Sequence, residues 1–311
     1  MAEVNTAVPA RIAFIGFGEA ARAFLAGWRR EPGFAAEVTA FDVKTDAADP
    51  AVRAAKLADY ASDRVIGAAT AREAVAGATL VVSVVTADQA HAAALSVVGN
   101  LAPNAIFLDC NSCAPQVKVK SAEKIDASGG RYVDVAVMAP VHPRLHETPL
   151  LISGGNAETA APMLAALAMS AEIQPGPVGS SSSIKMVRSI MIKGIEALVC
   201  ECVLSGRLAG VDDIVLATLE DTFPGFDWKK RSAYMLERVM THGVRRAAEM
   251  REVALTVDLL GLEGRMARAI VDWQQEIGDL HLKASDFGPD HGARADAILA
   301  ALGKKRAERP E

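Results

Sequence analysis

Lys185 and Ser189 stand four residues apart in the run Ile184-Lys185-Met186-Val187-Arg188-Ser189, a spacing that puts two side chains on one face of a helix. Ile184, Met186, Val187, Ile190, Met191 and Ile192 surround them, so this helix is expected to be largely buried. A lysine is seldom left in such a place without a partner or a chemical role. Desolvation disfavours its ammonium form, and the neutral amine is then a proton acceptor. The plainer alternative is a lysine that snorkels to solvent or pairs with a carboxylate such as Glu196.

A second constellation lies near the N-terminus. Gly16-Phe17-Gly18-Glu19-Ala20-Ala21 directly follows an apolar run and opens a helical stretch. In this context Gly16 makes a tight turn, Gly18 lets a pyrophosphate approach the backbone, and Ala21 permits close helix–strand packing. The start of the helix offers backbone N–H groups to phosphate. Asp42 ends the next apolar run, where a carboxylate accepts hydrogen bonds from an adenosine ribose and repels a 2′-phosphate. This favours NAD over NADP, with Lys44 softening the preference. Gly16, Phe17, Gly18, Glu19, Ala20 and Asp42 are therefore the expected cofactor contacts, joined by Val85 and Thr86 at the end of a later strand and by Asn111. A glycine turn in another doubly wound protein is the alternative.

These residues need a scaffold, and the pattern supplies one. Arg11–Ile15, Glu37–Phe41, Leu80–Val85, Ala105–Leu108 and Arg131–Val135 are β-branched or apolar runs that alternate with Ala-rich stretches. The order predicts βαβ units, hence an α/β Rossmann domain with a doubly wound, mostly parallel sheet. A strand over Pro149–Ser153 and a helix over Ala157–Met169 follow. Pro175-Gly176-Pro177-Val178-Gly179 then breaks all periodicity. The expected division is a dinucleotide-binding domain over 1–178 and an all-α domain over 179–311. Ser181–Ser183 are read as N-caps of a helix from Ile184 to at least Ala209. Further helices are expected over Val211–Thr222, Trp228–Thr241, Arg245–Leu260 and Glu263–Glu276, with a frayed charged tail over Gly303–Glu311.

Composition narrows the function classes. The 311 residues carry a formal net charge of −5 and are 51% hydrophobic, which leaves no basic field for nucleic acid or an anionic bilayer. Cys110 and Cys113, and Cys200 and Cys202, lack a nearby histidine at zinc-site spacing, so reduced buried thiols and no metal are expected. No leader pattern opens the chain, and Lys193 and Glu196 interrupt the apolar run Ile190–Cys200. A cytoplasmic protein without membrane or nucleic-acid partners is the expectation.

With Gly16–Ala21, Asp109-Cys110-Asn111-Ser112-Cys113-Ala114-Pro115, Asp134–Pro140 and Gly179–Ser189 in this order, the chain resembles the β-hydroxyacid dehydrogenases. That family includes 3-hydroxyisobutyrate and 6-phosphogluconate dehydrogenases, and the likeness is greatest to a bacterial phosphogluconate-dehydrogenase-like subgroup with its own C-terminal domain. The resemblance implies Lys185 as the catalytic group. It also implies Asn111, Ser112 and Ser189 as groups orienting nicotinamide and substrate, and a homodimer formed through the helical domain. The implied reaction is reversible NAD(P)-dependent oxidation of the alcohol of a small hydroxy acid.

Departures from the family pattern fall at three places. The usual Asn four residues after the lysine is Ser189, the usual Ser-Gly-Gly is Met138-Ala139-Pro140, and the Glu that serves decarboxylation is Ile192. Substrate recognition must then differ, and oxidative decarboxylation by the same means is disfavoured. An anion contact is sought instead in His242-Gly243-Val244-Arg245-Arg246, read as a turn opening a helix whose N–H donors and arginines suit a carboxylate, with His242, Arg245 and Arg246 as the binding side chains. His142 and His146 are further candidates. Imine reductase-like C=N reduction and a non-catalytic dinucleotide sensor are the alternative readings, the first disfavoured because such enzymes commonly replace the lysine.

Overall fold

The computed structural model describes residues 8–307. Its first half alternates strand and helix: β1 (Arg11–Ile15), α1 (Glu19–Trp28), β2 (Glu37–Phe41), α2 (Pro50–Ser62), β3 (Ile66–Gly67), α3 (Ala71–Val75), β4 (Leu80–Ser83), α4 (Ala90–Leu95), β5 (Ile106–Asp109), α5 (Pro115–Ala127) and β6 (Arg131–Val137). Then come β7 (Leu150–Ser153), α6 (Ala157–Ala166) and β8 (Ala171–Ile173). The eight strands form one sheet in the order β3-β2-β1-β4-β5-β6-β7-β8. Strands β1 to β6 run parallel, with Ile12 opposite both Val38 and Leu80. β7 is antiparallel to β6 because no crossover helix separates them, and β8 is parallel to β7.

The sheet is the doubly wound Rossmann sheet expected, with order reversing between β1 and β4, the place where such folds bind ligands beyond the strand ends. One face is packed by Phe14, Phe24 and Trp28, the other by Phe107, Tyr132 and Ile125, all fully buried. Burial on both faces explains why these strands read as continuous apolar runs. The two-residue β3 and the three-residue β8 carry no such run and were not legible. β4 stops at Ser83, short of Val85, because the Val85 N–H leaves the ladder to donate to the Asn111 side chain.

The remaining elements are helices: α7 (Ser180–Ala209), α8 (Asp212–Thr222), α9 (Trp228–Leu259), α10 (Arg265–Gly278) and α11 (His291–Ala307). The chain divides into two compact units, Met1–Met186 and Val187–Glu311, the division falling inside α7. α7 starts at Ser180, so Ser181–Ser183 occupy its first turn and are not its N-caps. Nor is the helix uniformly buried, since Val187 and Met191 are 51% and 63% exposed.

α9 corrects a second expectation. It runs unbroken through His242-Gly243-Val244, where a glycine invited a break. A Cβ at Gly243 would lie 2.4 Å from the Gln274 carbonyl oxygen and 2.7 Å from the Gly278 Cα. Gly243 is there to let α9 and α10 approach closely. α11 had no counterpart in the sequence reading and passes through Gly303 to Ala307, replacing most of the expected frayed tail, of which 308–311 lie outside the described residues. Among the described residues no helix is long and apolar enough to cross a membrane.

Candidate functional site

The Gly16–Ala21 loop joins β1 to α1 at the reversal of strand order. Gly16 has φ +84, and a Cβ there would fall 2.6 Å from the Val84 carbonyl oxygen, so glycine is required twice over. Gly18 is exposed with open space where a Cβ would stand. It is the N-cap of α1 and makes no side-chain capping bond, so no cap side chain stands between the backbone of the helix start and a phosphate. The residues present thus fit a dinucleotide pyrophosphate.

Asp42 lies beside this loop at the end of β2. Its Oδ2 accepts from the Phe17 N–H at 2.9 Å and its Oδ1 from the Lys44 N–H at 3.0 Å. Phe17 departs from expectation: its ring is fully buried against Phe14 and Tyr60, and its N–H is committed to Asp42, so it shapes the loop from behind. Glu19 and Thr86 are exposed, and Ala20 and Val85 half-buried. Sequence reasoning missed Lys56. This buried lysine on α2 donates to the Phe17 carbonyl at 2.6 Å, pairs with Asp59 at 2.8 Å and places its ammonium 3.9 Å from Asp42.

Lys185 is half-buried, on the second turn of α7, and its Nζ donates to the Ser112 Oγ at 2.6 Å. Ser112 is in the loop leaving β5, so the pair stands beyond the carboxyl ends of the strands, one strand over from the reversal. Glu196, the carboxylate weighed as a partner for Lys185, pairs with Arg246 instead. Asn111 differs from its expected role. Its Oδ1 accepts from the Val85 N–H at 2.6 Å, and its Nδ2 donates to Ser83 at 2.9 Å and Asp109 at 2.8 Å. Both amide hydrogens are thereby used in clamping β4 to β5, and the side chain is 3% exposed.

Behind Ser112 lies a charged centre that sequence reasoning did not find. Lys118 on α5 is fully buried, and its ammonium meets the Asp109 carbonyl at 2.7 Å, the Val135 carbonyl at 2.9 Å and the Asp134 Oδ1 at 3.0 Å. The Asp109 carboxylate accepts from the Tyr132 hydroxyl at 2.6 Å and from Asn111. Asp134 accepts from Ser153 Oγ at 3.0 Å, Gly179 N at 3.0 Å, Ser182 N at 3.1 Å and Ser182 Oγ at 2.5 Å. Burial alone would raise the Asp134 carboxyl, but the Lys118 charge and the bonds from Ser182 and Lys118 hold it below the usual carboxylate range. Burial likewise opposes the Lys118 ammonium, and Asp134 and Asp109 outweigh it, so lysine is kept charged. The available signal was registry: Lys118 shares a helix stripe with buried Ser121, Ala122 and Ile125.

The residues proposed to hold an anion do not form a helix N-terminus, because they sit mid-α9. Arg246 is buried and already neutralised by Glu196; Arg245 stands 4.0 Å from Glu249. His242 is half-buried on the same helix. Ser189 is buried and accepts from Lys193 at 3.3 Å, while Lys193 pairs with Glu249 at 2.9 Å. His142 is exposed on a loop. His146 is buried, bonded to Glu31 at 3.0 Å and packed where a Gly27 side chain would stand, which makes it a structural residue. Cys110 and Cys200 are buried thiols pushed up to about 12 by desolvation, too high for nucleophiles. Asp212, Asp213 and His291 converge to within 4.8 Å of one another, but Arg207 at 3.5 Å and Lys229 at 2.6 Å already answer the two carboxylates.

A phosphate-ready glycine turn at the strand reversal, an acid at the end of β2 and a lysine beyond the strand ends belong to the nicotinamide dinucleotide-dependent oxidoreductases. Residues 11–178 match the NAD binding domain of 6-phosphogluconate dehydrogenase, and residues 207–277 match a domain of unknown function, DUF1932. The chain belongs to that 6-phosphogluconate dehydrogenase-type NAD-binding family. A conserved hypothetical protein from Sinorhizobium meliloti 1021 is 36% identical, with 95% of this chain and 96% of that one covered and a TM-score of 0.69. The 3-hydroxyisobutyrate dehydrogenase of Mycobacterium tuberculosis, solved with L-serine, is 16% identical at a TM-score of 0.64 over 94% and 98% of the two chains, a likeness of fold. An uncharacterized 28.5 kDa protein of Methanothermus fervidus is 28% identical over 117 residues, which are 38% of this chain and 44% of that protein.

Proposed function

We propose that the protein reversibly oxidises the alcohol of a small hydroxy acid, with Lys185 as the proton acceptor. The observation that carries this reading is the 2.6 Å contact between the Lys185 amine and the Ser112 hydroxyl beyond the carboxyl ends of the central strands. When bound, the dinucleotide supplies a two-electron hydride acceptor for the hydrogen on the alcohol carbon. Lys185, in its neutral form, takes the hydroxyl proton at Nζ and returns it in the reverse direction. Ser112 fixes the direction of that amine. Gly16, Gly18 and the first turn of α1 hold the pyrophosphate, and Asp42 holds the adenosine ribose. Turnover of a panel of small hydroxy acids with NAD and with NADP tests the reading, and a wild-type protein that binds dinucleotide but turns over none of them would refute it.

Cofactor choice follows from Asp42. Its carboxylate opposes a 2′-phosphate, although Lys56, 3.9 Å away, offsets part of that charge. NADH should bind more tightly than NADPH, and Asp42→Ala should weaken NADH by about 1.5–3 kcal/mol, roughly ten- to a hundredfold, while narrowing the gap. Fluorescence titration of both reduced cofactors measures it. Equal or tighter NADPH binding by the unaltered protein contradicts the assignment.

The second unit supports a proposal of assembly. Met191, Leu198, Leu208 and Ile214 are 63%, 58%, 75% and 66% exposed in the single chain, and an apolar groove of about 260 Å³ is lined by Leu198, Val199, Val203, Leu216 and Leu219. Monomeric proteins rarely leave such apolar area uncovered. A homodimer formed through this helical unit is expected, and light scattering that finds a 32.6 kDa particle at micromolar concentration would overturn it.

A further inference from the structure

We infer that Asp134 and Lys118 are positioning residues that set where the Lys185 amine stands relative to Ser112, an assignment resting on the reading of Lys185 given above. A helix normally begins with a local side chain accepting from its first N–H groups. α7 is capped from elsewhere. The carboxylate that receives the N–H groups of Gly179 and Ser182 belongs to Asp134, on strand β6, and Ser153 on β7 takes the Ser181 N–H while donating to the same carboxylate. Gly179 itself is held by φ +100 and by Pro115, whose Cβ would lie 3.1 Å from an added Cβ.

Lys185 follows Ser182 by three residues, about 4.5 Å along the axis at the helical rise of roughly 1.5 Å per residue. Fixing the first turn therefore fixes the height and rotation of Lys185. The other half of the contact is anchored at the same place. Ser112 sits between Asp109 at the end of β5 and Pro115 at the start of α5, and Lys118 on α5 bonds both the Asp109 carbonyl and the Asp134 carboxylate. Lys118 thus ties the loop carrying Ser112 to the cap of the helix carrying Lys185. All of its ammonium hydrogens are used at 2.7, 2.9 and 3.0 Å, in a place with no solvent exposure to tolerate drift. A displacement of about 1 Å at a reacting group can cost on the order of a hundredfold in rate, which is what such an anchor guards against.

The test reads the lysine itself. In the full-length protein, the pH dependence of Lys185 acetylation by acetic anhydride, followed peptide by peptide in a mass spectrometer, reports ionisation of that amine without substrate. Asp134→Asn, and more mildly Ser182→Ala, should move its midpoint away from the wild-type value, because the surroundings of the amine change when it leaves its place beside Ser112. With a turned-over hydroxy acid the same variants should lose about ten- to a hundredfold in kcat at unchanged NADH affinity. If both variants fold, melt at a lower temperature and yet keep the wild-type midpoint and kcat, the residues merely stabilise the unit and the inference fails. Should Asp134→Asn not fold, Ser182→Ala, which retains the Lys118–Asp134 pair, decides alone. Evidence that Lys185 is not the base would leave the midpoint comparison standing, so the two ideas fail separately.

Discussion

Lys185→Ala is expected to lower turnover of the hydroxy acid by about a hundred- to ten-thousand-fold, the usual cost of removing a positioned general base. Dinucleotide affinity should stay nearly intact, because the proposed pyrophosphate and ribose contacts lie on the β1–α1 loop and at the end of β2. Lys185→Arg should rescue poorly. It keeps the charge, and its side chain can still reach toward Ser112, but a guanidinium does not release its proton at accessible pH. The pH profile of oxidation in the wild type should contain an ionisation below the lysine reference of about 10.4 that vanishes in both variants. Full turnover by Lys185→Ala would remove Lys185 from the mechanism. Because Lys185 is only half-buried in the single chain, the proposed role calls for further desolvation of its amine by bound ligands.

The largest effect on stability is expected at Lys118. Lys118→Met leaves Asp109 and Asp134 in a core with 0% exposure and no cation between them, and removing one partner of a buried pair costs about 3–5 kcal/mol. That is a large part of the ~5–15 kcal/mol that holds a domain together. The pH dependence has a definite sign. Asp134 is depressed below its ordinary 3.8 in the wild type, so its contribution is complete above that value and is lost as pH falls through the lower folded value. Without Lys118 the buried carboxyl is raised instead, and the variant is penalised increasingly as pH rises. The gap between variant and wild type should therefore shrink on going from neutral to mildly acidic pH. Urea unfolding of both proteins at the two conditions measures it, and a gap that widens in acid would contradict the assignment.

Much of the fold was legible because its physics is local. β1, α1 and β2 were readable from an apolar run, a glycine turn and a terminal acid, and the turn's chemistry is confined to adjacent residues. The parts that were not legible depend on partners distant in sequence. Gly243 reads as a helix breaker until Gly278 is known to pack against it. Arg246 reads as an anion-binding group until Glu196 is found beside it. Asn111 sits in the right motif, yet its amide is spent on Ser83, Asp109 and Val85, which converge only when β4 pairs with β5. Lys118 would have needed a lysine on a buried helix stripe to be taken as a signal, and the Ser181–Ser183 run drew attention to a local cap when the cap came from β6.

The central claim is that this chain moves a hydride between a hydroxy-acid carbon and nicotinamide while Lys185 handles the proton. Its most direct test is to incubate the wild-type protein with NAD and hydroxy acids deuterated at the alcohol carbon, and to follow the label by mass spectrometry and NMR. The account predicts NADH carrying one deuterium at C4 of the nicotinamide in step with the oxo acid formed. Oxo acid formed without deuterium at C4, or no product from any acid in a protein that demonstrably binds NAD, would contradict it.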